Sequence, residues 1–162
     1  MTIKKYIISA GLIFNKKNQI LLVKHTPEFG SDYYWTVPGG SANENEDKIT
    51  ALLREVKEET GVDICKISKL VYKVKHINYK REWDHDIYTY KIDNWKGDLV
   101  INDPDNDTVD LKWFDIDKAI NVLKKNPFRV IKEPLIDYLI GKERIKNWDY
   151  LEDKNGKIAR IL

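Results

Sequence analysis

A single cysteine, Cys65, excludes an intramolecular disulfide in this chain of 162 residues and fits a reducing, cytoplasmic compartment. A lone thiol of this kind is expected as a small buried residue rather than a reactive group. Glycine and proline are scarce, 8 and 5 residues, which excludes a low-complexity chain. Neither charge sign dominates: 28 basic and 26 acidic side chains leave a formal charge of +2. That balance lacks the basic excess a nucleic-acid binder gathers on one face. Long apolar runs are also missing. Tyr6–Phe14 follows Lys4-Lys5 and superficially resembles a secretion signal, but it is short, meets the polar Asn15–Asn18 at once and shows no small-residue cleavage site. A strand is the better reading, and no other segment is long enough to span a membrane. What the chain does have is 42% hydrophobic residues, enough for one sizeable core. A single domain over 1–162 is expected, with 143–162 an appended hairpin or tail.

Along the chain, Tyr6–Phe14 and Gln19–His25 read as a β-hairpin closed by Asn15–Asn18. Glu28–Tyr34 is polar and aromatic, hence a loop. Trp35–Val37 is a short extended piece stopped by Pro38-Gly39-Gly40. Ile49, Leu52, Leu53 and Val56 then recur at helical spacing. Asn43 with Glu46 three residues on fits a capped helix start, and Gly61 fits its left-handed end, so a helix from about Glu44 to Thr60 is expected. Lys69–His76, Asp86–Ile92, Leu99–Ile101 and Val109–Phe114 follow as strands, with an acidic loop at Asn102–Asp107. Asp115–Lys125 and Pro134–Ile140 look helical, with Pro134 suited to a first position. Asn155-Gly156 marks a hairpin turn within Asn147–Leu162. Strands before, around and after one long helix suggest a mixed sheet flanked by helices.

That helix carries Glu55, Glu58 and Glu59 at i, i+3 and i+4, so the three carboxylates share one sector beside the apolar stripe. Like charges at this spacing repel, and they sit at the helix end where the dipole disfavours negative charge. A solvated charged face is the bland explanation, and Lys48 and Lys57 lend it some support. A bound divalent cation relieves both penalties, because hard cations take oxygen ligands.

The wider spacing decides between them. Gly40, five residues, Glu46, seven residues, then Arg54-Glu55-Val56-Lys57-Glu58-Glu59-Thr60-Gly61-Val62 fills every fixed position of a 23-residue pattern, the Nudix box. Here the chain resembles the Nudix hydrolases of MutT type. Trp35-Thr36-Val37-Pro38-Gly39-Gly40 is similar to the family's approach to the box, and Val109-Asp110-Leu111-Lys112-Trp113 to the strand after its second acidic site. Asn43 and Asn45 depart from the Glu and Gly common there, yet Asn still caps and still adopts a left-handed turn. The resemblance implies the Nudix fold, an α+β structure arranged as an α/β/α sandwich.

It also implies metal-dependent cleavage of a phosphoanhydride by water attack at phosphorus, in a nucleoside diphosphate linked to another moiety, with a nucleoside triphosphate or a dinucleoside polyphosphate as the variants of that substrate. Mg²⁺ is the expected cofactor, with Mn²⁺ as substitute. Glu55, Glu58, Glu59 and the Gly39 carbonyl are the implied metal ligands, and Arg54 holds a carboxylate in position. Glu46 is expected to be structural. Glu55, Glu58 and Asp107 are candidates for the catalytic proton transfer, with Asp103, Asp105 and Asp110 as rivals to Asp107, in a loop able to close over substrate. Gly40, Trp35, Tyr79, Lys80 and Arg81 are candidate substrate contacts, Trp83 a further stacking ring, and the position of Tyr79 suggests dinucleoside polyphosphates. His25, His76 and His85 lack ligand spacing. The partner is a nucleotide-like small molecule, with no nucleic acid and no membrane, acting on a monomer or homodimer. Two other readings remain: a non-catalytic nucleotide sensor on the same fold, and an isoprenoid diphosphate isomerase, for which Cys65 is poorly placed.

Overall fold

Two sets of apolar residues, one on either side of a central sheet, organise the chain. The computed structural model describes residues 2–142 and 145–162. Among them lie strands β1 (Lys4–Leu12), β2 (Ile20–His25), β3 (Tyr34–Thr36) and β4 (Gly39–Ser41), then helix α1 (Lys48–Thr60). The long strands β5 (Asp63–Asn78) and β6 (Trp83–Lys96) follow, then β7 (Thr108–Phe114), α2 (Ile116–Leu123), α3 (Arg129–Leu139), β8 (Asn147–Glu152) and β9 (Ile158–Arg160). One sheet runs β4-β1-β6-β5-β8-β9, and a smaller one runs β3-β2-β7. Leu52 and Val56 of α1 pack with Ile13, Leu21, Val62, Tyr90 and Ile92 on one side. Ala119, Leu123, Val130 and Leu135 of α2 and α3 pack with Leu12, Leu22, Val74 and Phe114 on the other. The result is the expected α/β/α sandwich with a mixed sheet.

Several boundaries differ from expectation, each for a physical reason. β1 and β2 are not a hairpin: a single bridge, Phe14 to Ile20, precedes their separation into different sheets. Ile20–Val23 is fully buried, as befits the central strand of the second sheet rather than an edge. α1 starts later than expected, at Lys48, because Asn45 takes a left-handed φ of 63° that breaks the helix. Asp47 is the true cap, its carboxylate accepting from the amides of Ile49 and Thr50 at 2.9 Å each. Glu46 does reach back to the Asn43 amide, at 3.0 Å, but in a turn ahead of the helix. Gly61 ends α1 in the left-handed region as expected, with φ 80°.

Leu99–Ile101 is not a strand. The segment instead closes the end of α1, with the amides of Val100 and Asn102 donating to the carbonyls of Thr60 and Glu58 at 2.9 and 2.8 Å. Pro134 lies inside α3 rather than at its start, buried on the core side; its missing N–H leaves one helical rung unmade where packing compensates. Cys65 is exposed, not buried, on the outward-facing first part of β5. β8 pairs in parallel with β5 and antiparallel with β9, so residues 147–160 extend the main sheet. Gly156, at φ 84°, sits in the turn between them. The part of the expected tail at 143–144 lies outside the described residues.

Candidate active site

β4 runs antiparallel to β1, setting Gly39 opposite Ala10 and Gly40 opposite Ser9, beside the last turns of α1. A methyl group at Gly40 would lie 2.6 Å from both oxygens of the Glu55 carboxylate, so a side chain there would push that carboxylate from its present place. At Gly39 a methyl group would collide with the backbone of Ser9 and Ala10. Helical period, not chance, brings the carboxylates here.

Arg54 organises two of them. Its Nε and Nη2 donate to the two oxygens of Glu46 at 2.9 and 2.8 Å, a bidentate pair. Nη2 also donates to the Ser41 carbonyl at 3.0 Å, tying α1 to β4. Nη1 turns the other way, to Glu55 at 2.9 Å and Glu58 at 3.3 Å. The Arg54 hydrogen bonds hold the Glu46 carboxyl far down, at about 2. Glu46 is thus a structural anchor for Arg54. Burial, by contrast, pushes Glu55 above the ordinary carboxylate range despite Arg54, with Glu58 and Asp103 adding repulsion.

Glu59 is the most enclosed of the carboxylates, 4% exposed. Burial pushes it up to about 7, with the negative charges of Glu55 and Asp103 contributing. Among the described residues it meets His25, whose Nε2 lies 3.4 Å from Oε2. From His25 the contacts continue through Nδ1 to the Tyr34 hydroxyl at 3.4 Å, and that hydroxyl donates to Glu28 at 2.8 Å. His25, Tyr34 and Glu28 were not singled out by spacing; they lie on two strands and a loop, and only the pairing of β2 with β3 unites them.

The acidic loop lies across from the helix end. Asp103 is its internal cap, accepting from the amides of Asp105, Asp107 and Thr108 at 3.0, 3.1 and 3.0 Å. Asp107 is tied to β2: its carbonyl accepts from the Thr26 amide at 2.9 Å, and its carboxylate lies 3.4 Å from the Thr26 hydroxyl. Asp107 therefore stands on the His25 side, Asp103 nearer Glu55 and Glu59. Among the described residues, no three His, Cys, Asp or Glu side chains are gathered closely enough to hold a metal ion as they stand. The donor chemistry nonetheless fits a hard divalent cation. All donors are oxygens, two of the three carboxylates are lifted by burial and mutual repulsion, and the glycine pair leaves a cradle that a side chain would fill.

A cavity of about 550 Å³ opens from this site, with Gly39, Gly40 and His25 in its wall. It runs between the main sheet and the start of α3. Arg81 lines it, its guanidinium 3.7 Å from the Phe29 ring centre. Trp35, Tyr79 and Lys80 do not. Trp35 faces away, because strand alternation gives the cavity to Tyr34 and Thr36, and it packs on Phe114 at 4.9 Å instead. Tyr79 and Lys80 belong to the β5–β6 turn, outside the lining. Trp83 does line the cavity, stacked on His85 at 4.5 Å.

A NUDIX domain model matches residues 5–139. Over 67 residues the chain is 36% identical to an 8-oxo-dGTP diphosphatase of Proteus vulgaris, covering 41% of this chain and 60% of that protein. Over 65 residues it is 38% identical to an RNA pyrophosphohydrolase of Wolbachia pipientis, covering 40% of this chain and 38% of that one. The matched stretch is thus less than two thirds of either relative. Among solved structures, a MutT protein from Bacillus halodurans superposes with a TM-score of 0.71 at 16% identity, over 96% of this chain and 95% of that one. That likeness concerns the fold.

Proposed function

The chain belongs to the NUDIX family, whose domain it carries over residues 5–139, and we propose that it is a divalent-metal-dependent pyrophosphohydrolase. The proposed substrate is a nucleoside diphosphate linked to a further moiety, and the bond cut is a phosphoanhydride. One observation carries this reading: the box carboxylates lie against the glycine pair and His25 that wall one end of the cavity. The names of the two relatives, a diphosphatase and a pyrophosphohydrolase, support the same bond.

Glu55, Glu58, Glu59 and the Gly39 carbonyl would hold Mg²⁺, or Mn²⁺ in its place. When bound, such an ion supplies charge neutralisation for the phosphates and a more acidic water. Arg54 fixes Glu55 and Glu58 in advance, so little reorganisation is needed. Gly39 and Gly40 let phosphate oxygens approach the backbone. A water oxygen forms the new bond to phosphorus, the bridging P–O bond breaks toward the leaving phosphate, and one proton passes to a carboxylate. Glu55 and Asp107 are the candidates for that proton, on opposite sides of the site.

Cys65 is exposed and absent from the cavity wall, which argues against the isomerase alternative. The complete carboxylate set argues against a sensor, which has no need of a base. The test is a panel of nucleotide substrates with Mg²⁺, scored for phosphate products, on the wild type and Glu59→Gln. The variant should fold and lose at least roughly 10³ in rate, since an amide cannot replace a charged ligand in a hard-cation site. Full turnover in excess chelator would sink the mechanism.

A further inference from the structure

The cavity has a second end, and the family domain does not supply all of it. β8 and β9 lie beyond residue 139, yet Glu152, Gly156 and Ile158 form part of the cavity wall. Glu152 is placed by the parallel pairing of β8 with β5, opposite Asn78, while Asn78 itself pairs with Trp83 of β6. Asn78 donates from its amide to Glu152 Oε2 at 2.8 Å, and the Asn78 carbonyl oxygen is taken by the Arg81 amide. Asn78 is thereby spent on fixing the carboxylate.

Two polar groups beside it have no hydrogen-bond partner among the described residues. His76 is 5% exposed, and its Nε2 lies 3.3 Å from Glu152 Oε2 without forming a hydrogen bond. The Trp83 indole N–H is buried and likewise unbonded. Both residues line the cavity. Neither atom has accessible surface as the rings stand, so a ligand would meet them only after a small turn of each ring. Unsatisfied buried polar atoms are costly, and that cost favours the turn when a partner is at hand. Burial pushes His76 down to about 4, so it is neutral at pH 7 and does not neutralise Glu152. Burial lifts Glu152, while Arg81 and Lys80 pull it back toward the charged form.

We infer that Glu152, His76 and Trp83 form a nucleobase subsite that reads a guanine-type edge. The inference rests on the pyrophosphohydrolase reading of the other end. A carboxylate only accepts, an indole N–H only donates, and a neutral imidazole does one at each nitrogen. Guanine alone among the common bases offers two adjacent donors, N1–H and the 2-amino group, with a carbonyl oxygen beside them. Adenine sets a ring-nitrogen acceptor next to its amino group, and uracil flanks one N–H with two carbonyls. Either would press a lone pair against the Glu152 carboxylate.

The distance between the two ends adds a constraint on length. From Gly39 to Glu152 the sheet registers count four strand steps across and six residues along. That is on the order of 25 Å across a flat sheet, somewhat less across a twisted one. A base at Glu152 with its scissile bond at the glycine pair therefore belongs to a long, two-headed substrate such as a dinucleoside polyphosphate. This conclusion owes nothing to Tyr79, which lies outside the cavity.

Calorimetry of guanosine and adenosine 5′-monophosphates, in excess chelator, tests the subsite apart from hydrolysis. The wild type should bind guanosine monophosphate at least about tenfold more tightly, because the wrong base leaves buried groups unpaired. Glu152→Gln, with its melting temperature measured alongside, should bring the two within about threefold. Trp83→Phe keeps the ring and loses the N–H, and should weaken guanosine monophosphate binding several-fold; this variant carries the test if Glu152→Gln does not fold. Equal binding of the two monophosphates by the wild type overturns the inference, as does an unchanged preference in both variants. With Mg²⁺, diguanosine tetraphosphate should be cut in preference to diadenosine tetraphosphate. A Glu59→Gln protein that binds guanosine monophosphate selectively supports the subsite whatever becomes of hydrolysis, whereas a wild type that binds selectively but cuts neither substrate sinks only the hydrolase reading.

Discussion

At the glycine end of the cavity, the carboxylates come from one helix and the turn before it, held by a single arginine. At the Glu152 end, the polar groups come from β5, β6 and β8, which meet only because their registers align. The first arrangement is local: helical period and Arg54 set Glu46, Glu55 and Glu58 in place with few long-range contacts. The second is tertiary, since a one-residue slip of β8 would turn Glu152 to the opposite face. The proposed cleavage site and the proposed base subsite are thus built by separable means, and mutations should separate them.

The strongest way to break that separation is to find the base outside the helix. If Asp107 takes the proton, Asp107→Asn should lower kcat by roughly 10²–10⁴ with little change in affinity. If Glu55 takes it, Glu55→Gln shows that loss and Asp107→Asn stays within about threefold. Steady-state kinetics on both variants decides the matter, and neither should alter base preference. A smaller effect is expected at Gly40. Gly40→Ala must displace the Glu55 carboxylate, which its new methyl group would meet at 2.6 Å, so activity should fall about tenfold or more while base preference holds. A shift in base preference would show that the two ends are coupled.

The divalent metal should raise the melting temperature by a few degrees, because it binds the folded chain. Since burial pushes Glu59 up to about 7, it is mostly protonated at pH 5.5 and mostly ionised at pH 8. Ligands must be deprotonated to bind, so the stabilisation by Mg²⁺ should be larger at pH 8 than at pH 5.5. Scanning calorimetry at the two values checks this, and the opposite order would remove Glu59 from the ligand set. The smallest effect belongs to Tyr79. Tyr79→Ala lies outside both ends and should leave rate within about twofold and stability within about 0.5 kcal/mol.

Those differences track how far each feature was legible in the sequence. Local pattern marked Glu55, Glu58 and Glu59 by helical spacing and the glycine pair by the resemblance to the Nudix box, because helix period and a contiguous motif are local properties. It missed His25, Tyr34, Glu28 and the Glu152 group, which become neighbours only through strand pairing across long stretches of chain. Trp35 and Tyr79 lie outside the cavity: an aromatic side chain can be spotted in a sequence, but whether it takes the cavity face of a strand, the other face or a turn depends on register. The late start of α1 turned on Asn45, whose left-handed conformation is an option in sequence and a fact only in the fold.

The segment after β6 has a consequence for engineering by loop exchange. Asn102 is fastened to the Glu58 carbonyl, and Asp107 to the Thr26 amide, so only 103–106 spans the gap, and Asp103 stitches even that stretch to itself. The acidic loop is accordingly a spacer of fixed length, not a flap free to swing shut. An insertion there would have to unfasten the end of α1, and grafted loops of other lengths should cost solubility and yield before they change selectivity.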